Sequence, residues 1–184
     1  MNIYEFAAYD MDGNLVSFEQ YKGKVLLIFN SSVSCYLSDY YKEIERVYRE
    51  NKHLGFMALD FPSDSFTDLS DKTIKDIDSE VTFNYHTTFP RFNKVELTGM
   101  RKDPLFLYLE LETKFSGFDQ NNRFTPVLEK IVSRDDPFYK KSSSIKWNFT
   151  FFLIGKDGSI VKRFEPTTDF KKIERAIKKA LFKL

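Results

Sequence analysis

Lys24-Val25-Leu26-Leu27-Ile28-Phe29-Asn30-Ser31-Ser32-Val33-Ser34-Cys35 is the stretch on which the fold turns. Lys24 to Phe29 reads as a continuous apolar run, the pattern of a strand buried on both faces. A short polar loop follows. The thiol of Cys35 sits where that loop is expected to open a helix. Cys35 is the chain's single cysteine. It is either a nucleophile or a packed core thiol. It belongs to no internal disulfide and to no zinc site built on several cysteines.

Elements can be read outward from this stretch. Residues 38 to 52 read as a helix, with Ser38 as its N-cap and Tyr41, Ile44, Val47 and Tyr48 at helical spacing. Gly55 ends it, and Phe56 to Phe61 is a second buried strand. Ser70-Asp71 is expected to cap a helix through Ile74, Ile77 and Val81. Leu105 to Glu112 and Pro126 to Ser133 look helical around Gly117, and Pro90 and Pro104 punctuate the irregular stretch before them. Phe149 to Ile154, Asp157-Gly158 and Ile160 to Phe164 form a strand, turn and strand. Asp169 to Leu184 is a helix with Phe170, Ile173, Ile177 and Leu181 on one face. In front of everything, Asp12-Gly13 separates Tyr4 to Tyr9 from Leu15 to Phe18, which reads as an N-terminal hairpin.

That order argues an α/β chain with a central sheet covered on both faces. A βαβ unit followed by a hairpin and a closing helix is the order of the thioredoxin fold. Chemistry in open α/β sheets belongs at the carboxyl ends of the strands, and Cys35 follows the end of the first central one.

Bulk composition narrows the function classes. The 184 residues suit one domain, residues 1–184, with no Gly/Ser or Pro-rich linker. Hydrophobic residues make up 42% and aromatics 17%, which excludes a disordered chain. Lys+Arg 28 against Asp+Glu 27 leaves no global field for nucleic acid or an anionic membrane. No apolar run approaches about 18 residues, so no membrane span is expected. The start, Met-Asn-Ile-Tyr-Glu-Phe, has neither a basic nor an apolar signal region, so the cytoplasm is the expected compartment.

Other signals weigh less. Asp10-Met11-Asp12-Gly13-Asn14 places its glycine too early for a calcium loop and reads as a turn. His53 lies at a helix end, and His86 has no partner in the sequence. The basic face of the last helix, with Lys171, Lys172, Arg175, Lys178, Lys179 and Lys183, reads as solvated. Without a Cys-x-x-Cys pair, disulfide exchange of the thioredoxin type is excluded.

Several segments together resemble the glutathione peroxidase family. Tyr21 to Ile28 is similar to its first core strand, and Asn30 followed by Cys35 to the approach to its peroxidatic residue. Gly55-Phe56, Phe61-Pro62, Phe89-Pro90 with Phe92, and Pro104-Leu105-Phe106 match further elements. The most specific match is Ile145-Lys146-Trp147-Asn148-Phe149-Thr150-Phe151-Phe152-Leu153, and Val161-Lys162-Arg163-Phe164 with Pro166-Thr167-Thr168 completes it. Residues 110 to 144 correspond to an extended middle segment.

The resemblance implies a thiol peroxidase. A thiolate at Cys35 is oxidised by hydrogen peroxide or an organic hydroperoxide to a sulfenic acid, and an external thiol restores it. It makes Cys35 the nucleophile and Trp147 and Asn148 the donors around it, with no bound cofactor or metal. Glutathione, another small thiol or a thiol protein serves as the reducing co-substrate. The chain departs from the family at named points. Ser65 stands at the family's Gln position, Asp64 adds an anion beside it, and Tyr36 replaces a glycine. Asp78 occupies the place of a resolving cysteine, so no internal disulfide forms. The alternatives are a catalytically degenerate member acting as a redox sensor or binding protein, and an interaction module using the basic tail.

Overall fold

The computed structural model describes residues 2–183. Two β-strands, β1 (Ala7–Tyr9) and β2 (Leu15–Ser17), pair antiparallel as a separate hairpin. The Asp10 carboxylate caps its turn by accepting the backbone N–H groups of Asp12 and Asn14, both at 2.9 Å. This is the role of a turn aspartate and accounts for the residues that resembled a calcium loop.

The main sheet has four strands. β3 (Val25–Ser31) pairs parallel with β4 (Phe56–Pro62) and antiparallel with β5 (Phe151–Ile154). β6 (Ile160–Phe164) closes a hairpin with β5. Every residue of β3 is buried. Its side chains alternate between two cores, as the two-residue period of a strand requires. Val25, Leu27 and Phe29 face α1 (Tyr40–Asn51) and α5 (Phe170–Leu181), meeting Tyr41, Ile44, Val47, Ile173 and Ile177. Leu26 and Ile28 face the other way, toward Ile3, Phe18 and Phe92 and toward Phe106 and Leu109 of α3 (Pro104–Leu111). Two further helices, α2 (Ile74–Tyr85) and α4 (Thr125–Asp135), add Ile77, Val81, Leu128 and Val132 to the first core. The result is the expected thioredoxin-like arrangement of a mixed sheet with helices on both faces.

The helix starts differ from the sequence expectations. α1 begins at Tyr40 with Asp39 as N-cap, because residues 33–39 wind through a run of turns first. Ser38 instead accepts the Tyr85 hydroxyl at 2.8 Å. α2 is capped by Thr73, not Ser70-Asp71. Thr73 and Asp76 form a reciprocal capping box, while Ser70 is held in its own turn by the Asp68 carboxylate. β5 starts at Phe151, two residues later than expected, because Phe149 has a positive φ of 63°. Leu184, the expected end of the last helix, lies outside the described residues.

Candidate active site

Cys35 lies in the run of turns between β3 and α1. Its amide donates to the Ser32 carbonyl at 3.3 Å, and its carbonyl accepts from Ser38 at 2.9 Å. The Leu37 amide donates to the Cys35 sulfur at 3.4 Å. The thiol is only 2% exposed and touches the first core. Amides at a helix start ordinarily make a thiol more acidic. Burial wins instead. Desolvation of the anion pushes the Cys35 pKa above its ordinary value, and the Leu37 amide, Trp147 and Asn148 pull it only part of the way back.

Trp147 and Asn148 come from the segment leading into β5. Asn30, the first polar residue of β3, holds that segment in place. Its side-chain amide donates to the Trp147 carbonyl at 3.2 Å and its side-chain oxygen accepts the Thr150 amide at 3.2 Å. Its main-chain carbonyl accepts the Phe149 amide at 2.7 Å. The Thr150 hydroxyl adds a second donor to the Trp147 carbonyl at 3.0 Å. Between these anchors sits Phe149 in the left-handed region, which costs a non-glycine residue about 1–3 kcal/mol. Its ring offsets that cost by packing among Phe29, Tyr40, Tyr41 and Phe151. The strained residue turns the chain just after Asn148.

Both Trp147 and Asn148 act on the Cys35 sulfur in favour of its anion. The Trp147 indole N–H is buried and favours the thiolate, with no aligned hydrogen-bond acceptor among the described residues. Asn148 is fully buried. One of its N–H groups donates to the Thr67 hydroxyl at 3.0 Å, and its amide also acts on the thiol. Neither donor has a proton to lose at neutral pH, which suits both to lie beside an anion.

Other sequence candidates are placed elsewhere. The Ser65 hydroxyl bonds Ser63 at 3.0 Å and accepts the Leu97 amide at 2.9 Å, which shapes the loop. The loop residue that touches Asn148 is Thr67, which no spacing in the sequence singled out. Asp64 pairs with Lys94 at 3.3 Å and is not among the groups acting on Cys35. Asp78 forms an ion pair with Arg91, which also binds Asp60 at 2.7 Å. His53 and His86 are exposed, and neither acts on the thiol. Tyr36 is 47% exposed and stacks outward on Phe124, with ring centroids 5.3 Å apart. Tyr40 donates its hydroxyl to the Pro166 and Thr168 carbonyls at 2.7 and 2.9 Å. Of the four expected site residues, Cys35, Trp147 and Asn148 meet, and Ser65 engages its own loop.

Known proteins point the same way. A glutathione peroxidase from Lactococcus lactis is 32% identical over 98% of this chain and 100% of its own length. The crystal structure described as T. cruzi GPX1 superposes with a TM-score of 0.69 at 26% identity, covering 98% of this chain and 97% of that one. A thiol:disulfide interchange protein of the thioredoxin family from Chlorobium tepidum shares the fold alone, with a TM-score of 0.59 at 14% identity over 96% of this chain and 92% of its own. The sequence model of the family described as glutathione peroxidase matches residues 3–110. With that match over more than half of its length, and a relative covered from end to end, the chain belongs to the glutathione peroxidase family.

Proposed function

We propose that this protein reduces hydroperoxides through Cys35, with an external thiol as electron source. The observation that carries the reading is the chain's single thiol with the Trp147 indole N–H and the Asn148 amide both favouring its anion. The thiolate sulfur attacks one peroxide oxygen. An S–O bond forms and the O–O bond breaks. Sulfur is oxidised by two electrons to the sulfenic acid, and the other oxygen leaves as alkoxide or hydroxide and takes up a proton. The Trp147 and Asn148 donors stabilise negative charge first on sulfur and then on oxygen.

A first thiol then condenses with the sulfenic acid, releasing water and forming a mixed disulfide. A second thiol displaces Cys35. Both must come from outside, because Cys35 is the only cysteine. Glutathione or a similar small anionic thiol suits the cleft beside Tyr36. That cleft is lined by Asn121, Asn122, Arg123 and Asp39, whose carboxylate is paired with Lys42 at 2.9 Å, and the Arg123 guanidinium lies 4.8 Å over the Phe124 ring. No carboxylate pairs with Arg123 among the described residues, which leaves it available to an anionic thiol. A reducing compartment such as the cytoplasm supplies these thiols.

The test is peroxide consumption by the purified protein with glutathione. Cys35→Ser is expected to abolish it, and Trp147→Phe to lower kcat/KM by about 10²–10³-fold, the usual effect of losing one such donor. Equal turnover by wild type and Cys35→Ser sinks the reading. Ser65, which bonds Ser63 and the Leu97 amide and not the thiol, favours one second reading, a member of weakened catalysis that acts as a stoichiometric redox sensor. That reading predicts trapping of a sulfenic acid on Cys35 without sustained turnover.

A further inference from the structure

The extended middle segment has no part in the donor geometry described above, yet it builds a wall against Trp147. A recess of about 130 Å³ lies between α4 and the site, with Phe66, Trp147, Ile131, Val132, Tyr139 and Ile145 as its apolar lining. Phe66 belongs to the loop that carries Thr67, and its ring centroid is 5.8 Å from that of Trp147. The indole is thus shared. Its N–H acts on the Cys35 sulfur, and its ring lines the recess.

The polar groups at the recess are already committed. Lys146 is buried and donates to the Ser144 hydroxyl at 2.7 Å. Asp136 accepts the Phe138 amide at 2.9 Å, and Asp135 pairs with Arg134 at 3.0 Å. The recess therefore offers mainly apolar contact area, with the Lys146 ammonium near the Asp136 carboxylate among its charged groups. The Lys146 cation and the Asp135 and Asp136 carboxylates in its lining leave no positive field to draw in an anionic occupant. Its size is near that of a cavity of roughly 150 Å³ that takes a benzene ring.

We propose that this recess receives the organic group of the hydroperoxide. On this basis the enzyme favours neutral hydroperoxides whose carbon group is compact and about the size of one ring, and Ile131 and Val132 of α4 set that preference. The proposal rests on the peroxidase reading of Cys35. Hydrogen peroxide has no group to place there, so it gains nothing from the recess. A well-filled apolar pocket of this kind typically discriminates by about tenfold or more.

The experiment compares cumene hydroperoxide with hydrogen peroxide at one fixed thiol concentration, in the wild type and in Ile131→Phe. Binding of cumyl alcohol, the product, is followed in parallel by fluorescence of the chain's single tryptophan, Trp147. The wild type is expected to show a saturable fluorescence change with cumyl alcohol. Filling the recess with Ile131→Phe is expected to weaken that binding and to lower the cumene-to-hydrogen-peroxide ratio of kcat/KM by about tenfold. Its kcat/KM for hydrogen peroxide stays near the wild-type value. Turnover of neither hydroperoxide overturns the peroxidase reading and this role with it. Turnover with an unchanged ratio in Ile131→Phe, or no fluorescence response, overturns the role of the recess alone. An equal fall for both peroxides also overturns it, since that is the mark of a general packing defect.

Discussion

At Cys35, two opposing effects are set by single residues. Burial favours the neutral thiol, and three N–H groups favour the thiolate. The net shift is upward, so the thiolate is scarcer at neutral pH than for a free cysteine. The rate of Cys35 alkylation by iodoacetamide is therefore expected to rise about tenfold per pH unit up to a higher pH than for an unstructured cysteine peptide. A plateau at or below neutrality would contradict this sign. Asn30 is the second decisive residue. Its amide holds Trp147 and Thr150 while Phe149 stays in the left-handed region. Asn30→Ala leaves the Thr150 amide buried without its partner and is expected to cost about 1–3 kcal/mol in urea unfolding. Trp147 emission should shift to the red as the indole loses its fixed environment. An unchanged spectrum with unchanged stability would contradict the positioning role.

Among the elements, ion pairs tie helices together at the surface. Arg46 of α1 reaches Glu174 of α5 at 2.7 Å, and Lys178 reaches the same carboxylate at 2.7 Å. These hydrogen bonds hold the Glu174 pKa at about 2, down from 4.5. A depressed carboxylate contributes stability above its unfolded pKa and loses it as pH falls through the folded one. The difference in stability between wild type and Glu174→Gln is therefore expected to be largest near neutrality and to fade between pH 4.5 and about 2. Because the pair is near the surface, its size should be about 0.2–1 kcal/mol and should shrink in high salt. Unfolding midpoints of the two proteins across that range check it. Element limits were legible where the pattern was continuous. β6 runs over Ile160–Phe164, as its sequence reads, and α5 follows Asp169. Helix starts were harder to read, since Ser38 and Ser70 are both good caps in isolation. Their hydroxyls were claimed by Tyr85 and by Asp68, partners that local propensity does not reveal.

At the scale of the whole molecule, a buried ionic cluster joins distant elements. Arg91 joins Asp60 of β4, Asp78 of α2 and the Thr87 hydroxyl, and Ser31 of β3 bonds the same Asp60. Arg91 and Asp60 are almost completely buried. Removing the cation strands a carboxylate in the core, so Arg91→Met is expected to lose about 3–5 kcal/mol, with partial recovery when Asp60→Asn is added. Urea unfolding of the single and double variants checks both outcomes. A small loss in Arg91→Met would place the cluster outside the stabilising framework. The same cluster gives Asp78 a structural task. The sequence by itself determined the doubly buried strand, the lone thiol beyond it and the Trp147-Asn148 pair, because period and motif are local properties of the chain. Tertiary structure alone decided that the thiol is buried and less acidic, that Ser65 serves its loop, and that Thr67 meets Asn148 from 81 positions away. Desolvation and hydrogen-bond pairing depend on which distant groups surround an atom, and only the folded chain supplies those neighbours.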